Sequence, residues 1–386
     1  MLPAALNPAD NPLSREFYRL LAHNFGPTVA PLLVAFAVTV ALVWPLRSLS
    51  FRLGAVAKPG GRNIHDRPTA VLGGLALAAG FLVSTVVFAV LGQNGRDGFP
   101  KGQLLGLLGV ATITLAVMLF DDLRQLAARY KFGAQLFLAV LVPAIGISID
   151  SINFGGGHVL HLGALGAFLV TVVWLLGMQN TMNLLDGVDG LAAGVAAIVA
   201  GALLLAAVNR QAQHAEQMTV ILLCAALIGA CLGFLIFNFH PARIFMGDNG
   251  SHFLGMVLGI ISIFGVAKGA VVFALLVPLA ALAVPIIDTA LAIFRRRRQG
   301  LSIGHPDTAH IHHQLLDFGL SQRQTCLAFY AATGITAGLG LMFYGHRKII
   351  AVAVVLLVVV LSTLVGERLS EMENEAERKS GVLLES

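Results

Sequence analysis

The chain has 386 residues, of which 57% are apolar and only 12% carry a charge. Soluble globular domains contain about 25% charged residues, so this composition excludes a soluble enzyme and indicates an integral membrane protein. The formal net charge of +5 does not indicate nucleic-acid binding, because the basic residues fall in loops between the apolar runs.

The apolar runs predict an all-α integral membrane protein with eleven transmembrane helices, organised as one domain over residues 1–386. Residues 1–26 are predicted to form an N-terminal segment at the membrane interface, and 367–386 a charged tail. The spans are predicted at 27–47, 71–91, 102–120, 132–149, 164–184, 188–208, 218–238, 251–267, 270–293, 325–344 and 348–366. Between the fourth and fifth spans, the glycine-rich stretch 150–163 alternates like a small β-hairpin.

The distribution of Lys and Arg predicts the orientation of the spans, because cytoplasmic loops of membrane proteins carry an excess of both residues. Of the 25 Lys and Arg, 17 lie on the side that holds the C-terminal tail and the loops 47–70, 121–131, 185–190, 239–250 and 294–324. This predicts an N-terminus outside and a C-terminus in the cytoplasm. Every dense polar cluster falls on the same side, which suggests an enzyme that joins a cytosolic substrate to a lipid.

The third predicted span ends in two adjacent carboxylates, Asp121 and Asp122. Two such groups repel each other unless a cation lies between them. Mg²⁺ is the natural cation, since it binds carboxylate oxygens and bridges phosphates. The alternative is an ordinary span end whose carboxylates pair with Arg124 or Arg129.

Polar residues recur at intervals of three at the end of the fifth span, at Asn180, Asn183, Asp186 and Asp189. Such groups are costly beside hydrocarbon, so they indicate a functional site. One unbroken helix would turn the outer two to opposite sides. A break at Gly187 or Gly190 would direct all four into one pocket. The alternative is a polar turn in which Asp caps the next helix.

A second acidic site is predicted where the eighth span begins, in the segment from Phe245 to Ser251. Asp248 lies there between Gly247 and Gly250, which allow close approach of the backbone. We expect Asp248 to bind a metal ion while the amides of the helix start hold a phosphate. The alternative is a simple helix cap by Asn249 or Ser251.

Two further loops carry groups that can bind phosphate. Lys58, Arg62 and His65 lie among glycines in one loop, where they either clamp a phosphate or serve only as positive-inside charge. His310, His312 and His313 lie in the largest cytoplasmic loop. Their spacing is not that of an ordinary zinc site, so donation of hydrogen bonds to a pyrophosphate fits better.

Together these motifs resemble the polyprenyl-phosphate N-acetylhexosamine-1-phosphate transferase family, glycosyltransferase family 4. The resemblance runs from about residue 50 to 330, with the motifs in family order. It implies an eleven-span enzyme of the bacterial plasma membrane. Such an enzyme transfers a sugar 1-phosphate from a UDP-amino-sugar to undecaprenyl phosphate, uses Mg²⁺ with Mn²⁺ as a substitute, and releases UMP. A homodimer is a further expectation.

The resemblance also implies roles for the site residues. Asp248 is the first choice as Mg²⁺ ligand, supported by Asp121 or Asp122. The nucleotide-sugar pocket is expected to contain Asn180, Asn183, Asp186, Asp189 and Asn238. The pyrophosphate is expected at His310, His312 and His313, and the lipid phosphate or UDP at Lys58, Arg62 and His65.

The chemical route expected is direct attack of the lipid phosphate on the sugar-bearing phosphorus. A phosphate monoester is largely dianionic at pH 7, since its second pKa is near 6, and it needs placement and charge neutralisation more than a strong base. Asp121 or Asp122 would orient or deprotonate this phosphate. The alternative is a covalent intermediate with one of these aspartates as nucleophile.

The sequence His-Ile-His-His-Gln-Leu-Leu at 310–316 looks like the N-acetylglucosamine branch of the family, which starts O-antigen, common-antigen or teichoic acid assembly. The phospho-N-acetylmuramoyl-pentapeptide translocase branch, which starts peptidoglycan, has three successive histidines instead. A transporter with an ion site at its inner face is an alternative of another class. The position of the polar residues at the inner boundary, and the lack of an inverted repeat, disfavour it.

Overall fold

The computed structural model describes residues 15–57, 68–91, 100–153, 159–211, 217–266, 298 and 321–342. Within these ranges the chain is mostly helical. The helices are α1 Arg15–Leu53, α2 Gly73–Thr85, α3 Lys101–Arg124, α4 Ala128–Ala144, α5 Gly163–Leu185, α6 Leu191–Gln211, α7 Gln217–Asn238, α8 Gly247–Val266 and α9 Gln322–Met342. The strands are β1 Val56–Ala57, β2 Thr69–Ala70, β3 Ser151–Asn153 and β4 Val159–His161.

Six of the described helical segments are long and apolar enough to cross a membrane, which confirms a multi-pass membrane protein. They are Gly26–Leu53, Gly73–Val90, Lys101–Arg124, Gly163–Leu185, Leu191–Val208 and Gln217–Asn238. α4, α8 and α9 are helices at the positions of three further predicted spans. The spans predicted at 270–293 and 348–366 lie outside the described residues.

The fourth predicted span and its following loop differ in length from the prediction. α4 ends at Ala144 rather than at 149, because the chain turns at Gly146, whose φ of +80° is accessible mainly to glycine. The turn leads into β3 and β4, which pair antiparallel with Ile152 opposite Leu160. This confirms the predicted hairpin.

A second, unpredicted pair of strands joins the two ends of the basic loop. β1 and β2 pair antiparallel, with Val56 opposite Ala70 and Ala57 opposite Thr69. β2 also contacts the segment before α8, since Phe245 donates its N–H to the Ala70 carbonyl at 2.7 Å. Gly73 and Gly74 then donate to the carbonyls of Phe245 and Met246 at 3.0 and 2.9 Å. The start of α2 is thereby fixed beside the start of α8.

α8 lies at the centre of the described bundle and packs against α2, α3 and α5. Glycines allow these helices to approach closely, as is common between membrane helices. A Cβ atom at Gly255 would overlap the α5 backbone at Gln179, and one at Gly250 would overlap Gly74 of α2. On the other side of the bundle α7 packs against α1 and α6. The C-terminal ends of α3 and α5 and the N-terminal ends of α4 and α8 meet in one place.

Candidate active site

The start of α8 is held by a carboxylate from α3. Asp122 Oδ1 accepts the N–H of Asp248 at 2.9 Å, and Asp122 Oδ2 accepts the N–H of Asn249 at 2.9 Å. The side-chain amide of Asn249 donates to the same Oδ2 at 2.6 Å. The Asp122 carboxylate therefore binds two of the amides at the helix start that we expected to hold a phosphate. The alternative of a cap by Asn249 or Ser251 is wrong, because α8 begins at Gly247 and both residues lie inside it.

Asp121 and Asp248 share the ammonium group of Lys131, which lies in the first turn of α4. Lys131 Nζ is 3.2 Å from Asp121 Oδ2 and also donates to Asp248 Oδ2. Asp121 Oδ1 accepts the N–H of Leu126 at 2.8 Å. The observed partner of Asp121 is thus Lys131, not Arg124 or Arg129.

Lys131 was not among the predicted site residues, although it lies in the loop 121–131 whose positive charge contributes to the predicted orientation. Its position ten residues after Asp121, at the start of the next span, is the signal that could have found it.

The predicted break after the fifth span is present, with Asn183 in the last turn of α5 and Asp186 directly after its end. α5 ends at Leu185, α6 begins at Leu191, and Gly190 has a φ of +82°. Asn183 Nδ2 donates to Asp248 Oδ1 at 2.6 Å and to Ser251 Oγ at 3.1 Å. Burial, with the nearby carboxylates of Asp248, Asp122 and Asp189, raises the pKa of Asp186 well above its ordinary value.

Asp189 and Asn238 lie on the far side of the turn, where their polar atoms hold backbone. Asp189 Oδ2 is 3.0 Å from His240 Nδ1 and accepts the N–H of Ala242 at 3.0 Å. Asn238 accepts the Gly190 N–H at 3.1 Å and donates to the Ile244 carbonyl at 2.9 Å. The structure therefore gives both residues a part in fixing the turn and the segment that leads to α8.

Asn180 lies one turn before Asn183 and contacts a different partner. Its Nδ2 donates to Gln135 Oε1 at 3.0 Å and to the Leu176 carbonyl at 2.8 Å. Asn180, Asn183 and Asp186 are thus brought toward the α4 and α8 helices, while Asp189 is not. Gln135 was not among the predicted site residues.

A cavity of about 500 Å³ opens beside Lys131 and the two carboxylates that it contacts. Its polar wall is formed by Asp121, Asp122, Lys131 and Asp248, and its other wall by the end of α1 and β1. The loop that carries Lys58, Arg62 and His65 begins directly after β1. These three residues, and His310, His312 and His313, lie outside the described residues.

The donor set at the site suits a hard cation. Within the described ranges no three acidic, His or Cys side chains are already arranged to hold a metal ion. Lys131 contacts the carboxylates of Asp121 and Asp248, while Asp122 lies at the start of α8 and Asp186 is close enough for the charges of Asp248 and Asp122 to raise its pKa. Excess negative charge on oxygen donors fits Mg²⁺. Asp248 and Asp121 fit this role better than Asp122, whose oxygens cap α8.

The chain is similar in sequence to proteins of one family. A model of glycosyl transferase family 4 matches residues 104–266, the part of the chain from α3 to α8. A probable undecaprenyl-phosphate N-acetylglucosaminyl 1-phosphate transferase of Bacillus subtilis (strain 168) is 36% identical over 305 residues, covering 78% of this chain and 81% of the relative. A decaprenyl-phosphate N-acetylglucosaminephosphotransferase of Mycobacterium tuberculosis (strain ATCC 25618 / H37Rv) is 36% identical over 321 residues, covering 79% and 80%. A phospho-N-acetylmuramoyl-pentapeptide-transferase of Endomicrobium trichonymphae is 31% identical over 334 residues, covering 81% and 90%.

Proposed function

Because this chain belongs to glycosyl transferase family 4, we propose that it transfers N-acetylglucosamine 1-phosphate from UDP-N-acetylglucosamine to undecaprenyl phosphate and releases UMP. The observation that carries the proposal is the meeting of Asp121, Lys131, Asn183 and Asp248 at one end of the bundle. All four lie within the matched residues 104–266. The product would start the synthesis of a cell-envelope polysaccharide.

The choice of sugar is supported by the order of the relatives. The relatives from Bacillus subtilis and Mycobacterium tuberculosis that are named for N-acetylglucosamine transfer are 36% identical over about four fifths of the chain, whereas two relatives named for the muramoyl-pentapeptide are 31% and 32% identical. Another relative named for N-acetylglucosamine transfer, from Yersinia pestis, is 26% identical. The sequence of the His310–His313 loop also resembles the N-acetylglucosamine branch. The muramoyl-pentapeptide nucleotide is therefore the second candidate donor.

The proposal places the site at the cytoplasmic face of the bacterial plasma membrane. Eleven spans would leave the N-terminus outside, and 17 of the 25 Lys and Arg would lie on the cytoplasmic side. The donor is a cytosolic nucleotide sugar and the acceptor is a membrane lipid, so both would reach the inner ends of α3, α4, α5 and α8. A homodimer is part of the proposal and is tested by the mass of the purified protein in nanodiscs.

In the proposed reaction a lipid-phosphate oxygen attacks the sugar-bearing phosphorus, and the bond from this phosphorus to the UMP oxygen breaks. Asp121 orients the lipid phosphate, and Lys131 holds Asp121 and Asp248 together and offers positive charge to phosphate oxygens. Mg²⁺, held by Asp248 and Asp121, would neutralise the charge that develops on the leaving UMP. Asp122 acts on this site through α8, whose first turn it holds in place.

The remaining site residues complete the proposal. Asn180, Asn183 and Asp186 would line the nucleotide-sugar pocket, and Asp189 would hold the turn that follows them. His310, His312 and His313 would donate to the pyrophosphate, and Lys58, Arg62 and His65 would hold the lipid phosphate or UDP. The cavity wall formed by β1 supports the last assignment, because the chain enters that loop from the cavity.

The proposal is tested with purified protein in nanodiscs, supplied with Mg²⁺ and a panel of UDP-sugars. We expect UMP release from UDP-N-acetylglucosamine only when undecaprenyl phosphate is present. A preference for the muramoyl-pentapeptide nucleotide would assign the second candidate. Absence of UMP release from every donor, with ion flux across the membrane instead, would favour a transporter.

A further inference from the structure

Three helices each contribute two polar residues at the candidate site, in two layers one helical turn apart. The first layer consists of Lys131 on α4, Asp248 on α8 and Asn183 on α5. Gln135 follows Lys131 by four residues, His252 follows Asp248 by four, and Asn180 precedes Asn183 by three. Residues three or four apart lie on the same helix face, so each deeper residue is directly beneath its partner.

The deeper residues are connected to each other. Gln135 Nε2 is 3.0 Å from His252 Nε2, and Asn180 Nδ2 donates to Gln135 Oε1 at 3.0 Å. His252 and Gln135 are buried, with 0% and 3% of their surface exposed. We call these three residues the Gln135 layer.

The hydrogen bonds of the Gln135 layer run in one direction. His252 Nδ1 lies 3.3 Å from the Gln179 carbonyl, which can only accept, so Nδ1 carries the proton. In a neutral ring Nε2 then has a lone pair, which accepts from Gln135 Nε2. This leaves Gln135 Oε1 to accept from Asn180. Each amide and the imidazole therefore have a single orientation.

We infer that His252 and Gln135 are positioning residues, which fix the register of α4, α5 and α8 and thereby the placement of Lys131, Asp248 and Asn183. The inference rests on the proposed function, since it concerns the same reaction. Gln135 and His252 are buried and bonded to each other, so a slip of α4 past α8 would leave a buried polar group without its partner, while the exposed Asn180 ties α5 to the same pair. Groups that stabilise a transition state must be held in place before the reaction.

The first test is a set of variants, each assayed for kcat and KM with thermal unfolding as a check of folding. His252→Leu and Gln135→Leu remove one partner each and should lower kcat about tenfold, with KM for both substrates changed less than about threefold. The double variant should be no slower than the slower single variant, because both changes break the same network. His252→Gln should keep most of the activity, since its carbonyl oxygen can accept from Gln135.

Ser262→Ala is the matched control. It removes a 3.1 Å hydrogen bond from Trp174 on α5 to α8, far from the Gln135 layer, while Trp174 keeps its bond to the Gly259 carbonyl. We expect its kcat to equal that of the parent protein. The inference would be overturned if the kcat losses of the two single variants multiplied in the double variant, or if His252→Leu left kcat unchanged. Loss of UMP release in the parent protein would instead contradict the proposed function.

The second test does not depend on a measurement of enzyme activity. Nitrogen NMR of protein labelled at histidine should show His252 as the neutral tautomer with the proton on Nδ1, and this signal should vanish in His252→Gln. A proton on Nε2, or a charged ring, would reverse the direction of the network and overturn the inference.

Discussion

Asp248 is the residue at which the polar contacts of the site converge. Its carboxylate accepts from Lys131 and Asn183, and its N–H is held by Asp122. The backbone before it turns at Gly247, with a φ of +74°. A side chain there would meet the Val71 carbonyl, so only glycine fits. Contacts from α3, α4 and α5 thus hold the Asp248 carboxylate in position.

Replacement of Asp248 by Asn should abolish most activity while the protein still folds. The Asn side chain has nearly the same shape but cannot neutralise Lys131 or bind Mg²⁺ strongly, so we expect turnover to fall by at least about 100-fold. Mg²⁺ should raise the unfolding temperature of the parent protein and not that of the variant, because only a bound ligand stabilises the folded state. Equal stabilisation of both proteins would remove Asp248 from the metal site.

Lys131→Met tests whether the ammonium group matters beyond its packing. Asp121 and Asp248 would lose the cation they share, so we expect kcat to fall by about 100-fold at saturating Mg²⁺. Arg129→Met is the control, because it removes a positive charge from the same helix without removing the cation that Asp121 and Asp248 share. The Arg129 guanidinium lies instead 4.8 Å from the ring of Tyr130. A Lys131→Met variant within about threefold of the parent, measured by UMP release, would contradict the proposed role.

At the scale of elements, the start of α8 depends on α3. Asp122 holds two of the backbone N–H groups that every helix leaves without partners in its first turn. Loss of a helix cap costs about 1–2 kcal/mol. Asp122→Ala should therefore lower the unfolding temperature, and Asp122→Asn, which keeps one acceptor oxygen, should lower it less. Asp150→Ala removes an exposed carboxylate that accepts only a local bond from the Ser148 hydroxyl at 2.6 Å, so it should lower the unfolding temperature much less than Asp122→Ala. Equal unfolding temperatures for the Asp122 and Asp150 variants would show that Asp122 does not hold α8.

Local features of these elements could be predicted from the sequence, and contacts between elements could not. The break near Gly190 and the β3–β4 hairpin were predicted from glycines within the segments themselves. The Lys131–Asp248 contact joins residues 117 positions apart, and the cap by Asp122 joins residues 126 apart. Such contacts depend on which helices pack together, and apolar runs of similar composition do not specify their neighbours. The same limit explains why Asn238 and Asp189 were assigned to the substrate pocket.

At the scale of the whole molecule, the site lies at one end of the bundle because the chain reverses direction at each connection. α3 ends at Arg124 and α4 begins at Ala128, while α5 ends at Leu185 and α6 begins at Leu191. Both connections therefore lie at the same end as the start of α8. The opposite end carries the β3–β4 hairpin and the start of α3. An enzyme that meets its nucleotide sugar in the cytosol needs the first of these ends inside.

The orientation is tested by labelling of single cysteines on intact cells with a thiol reagent that does not cross membranes. Arg129→Cys lies at the end that carries the site and Lys101→Cys at the opposite end, and both positions are exposed. The three described native cysteines, Cys224, Cys231 and Cys326, are buried and should react slowly. We expect labelling at position 101 in intact cells and at position 129 only after the membrane is opened. The reverse pattern would place Asp121, Asp122 and Asp248 outside the cell, where no cytosolic nucleotide sugar could reach them.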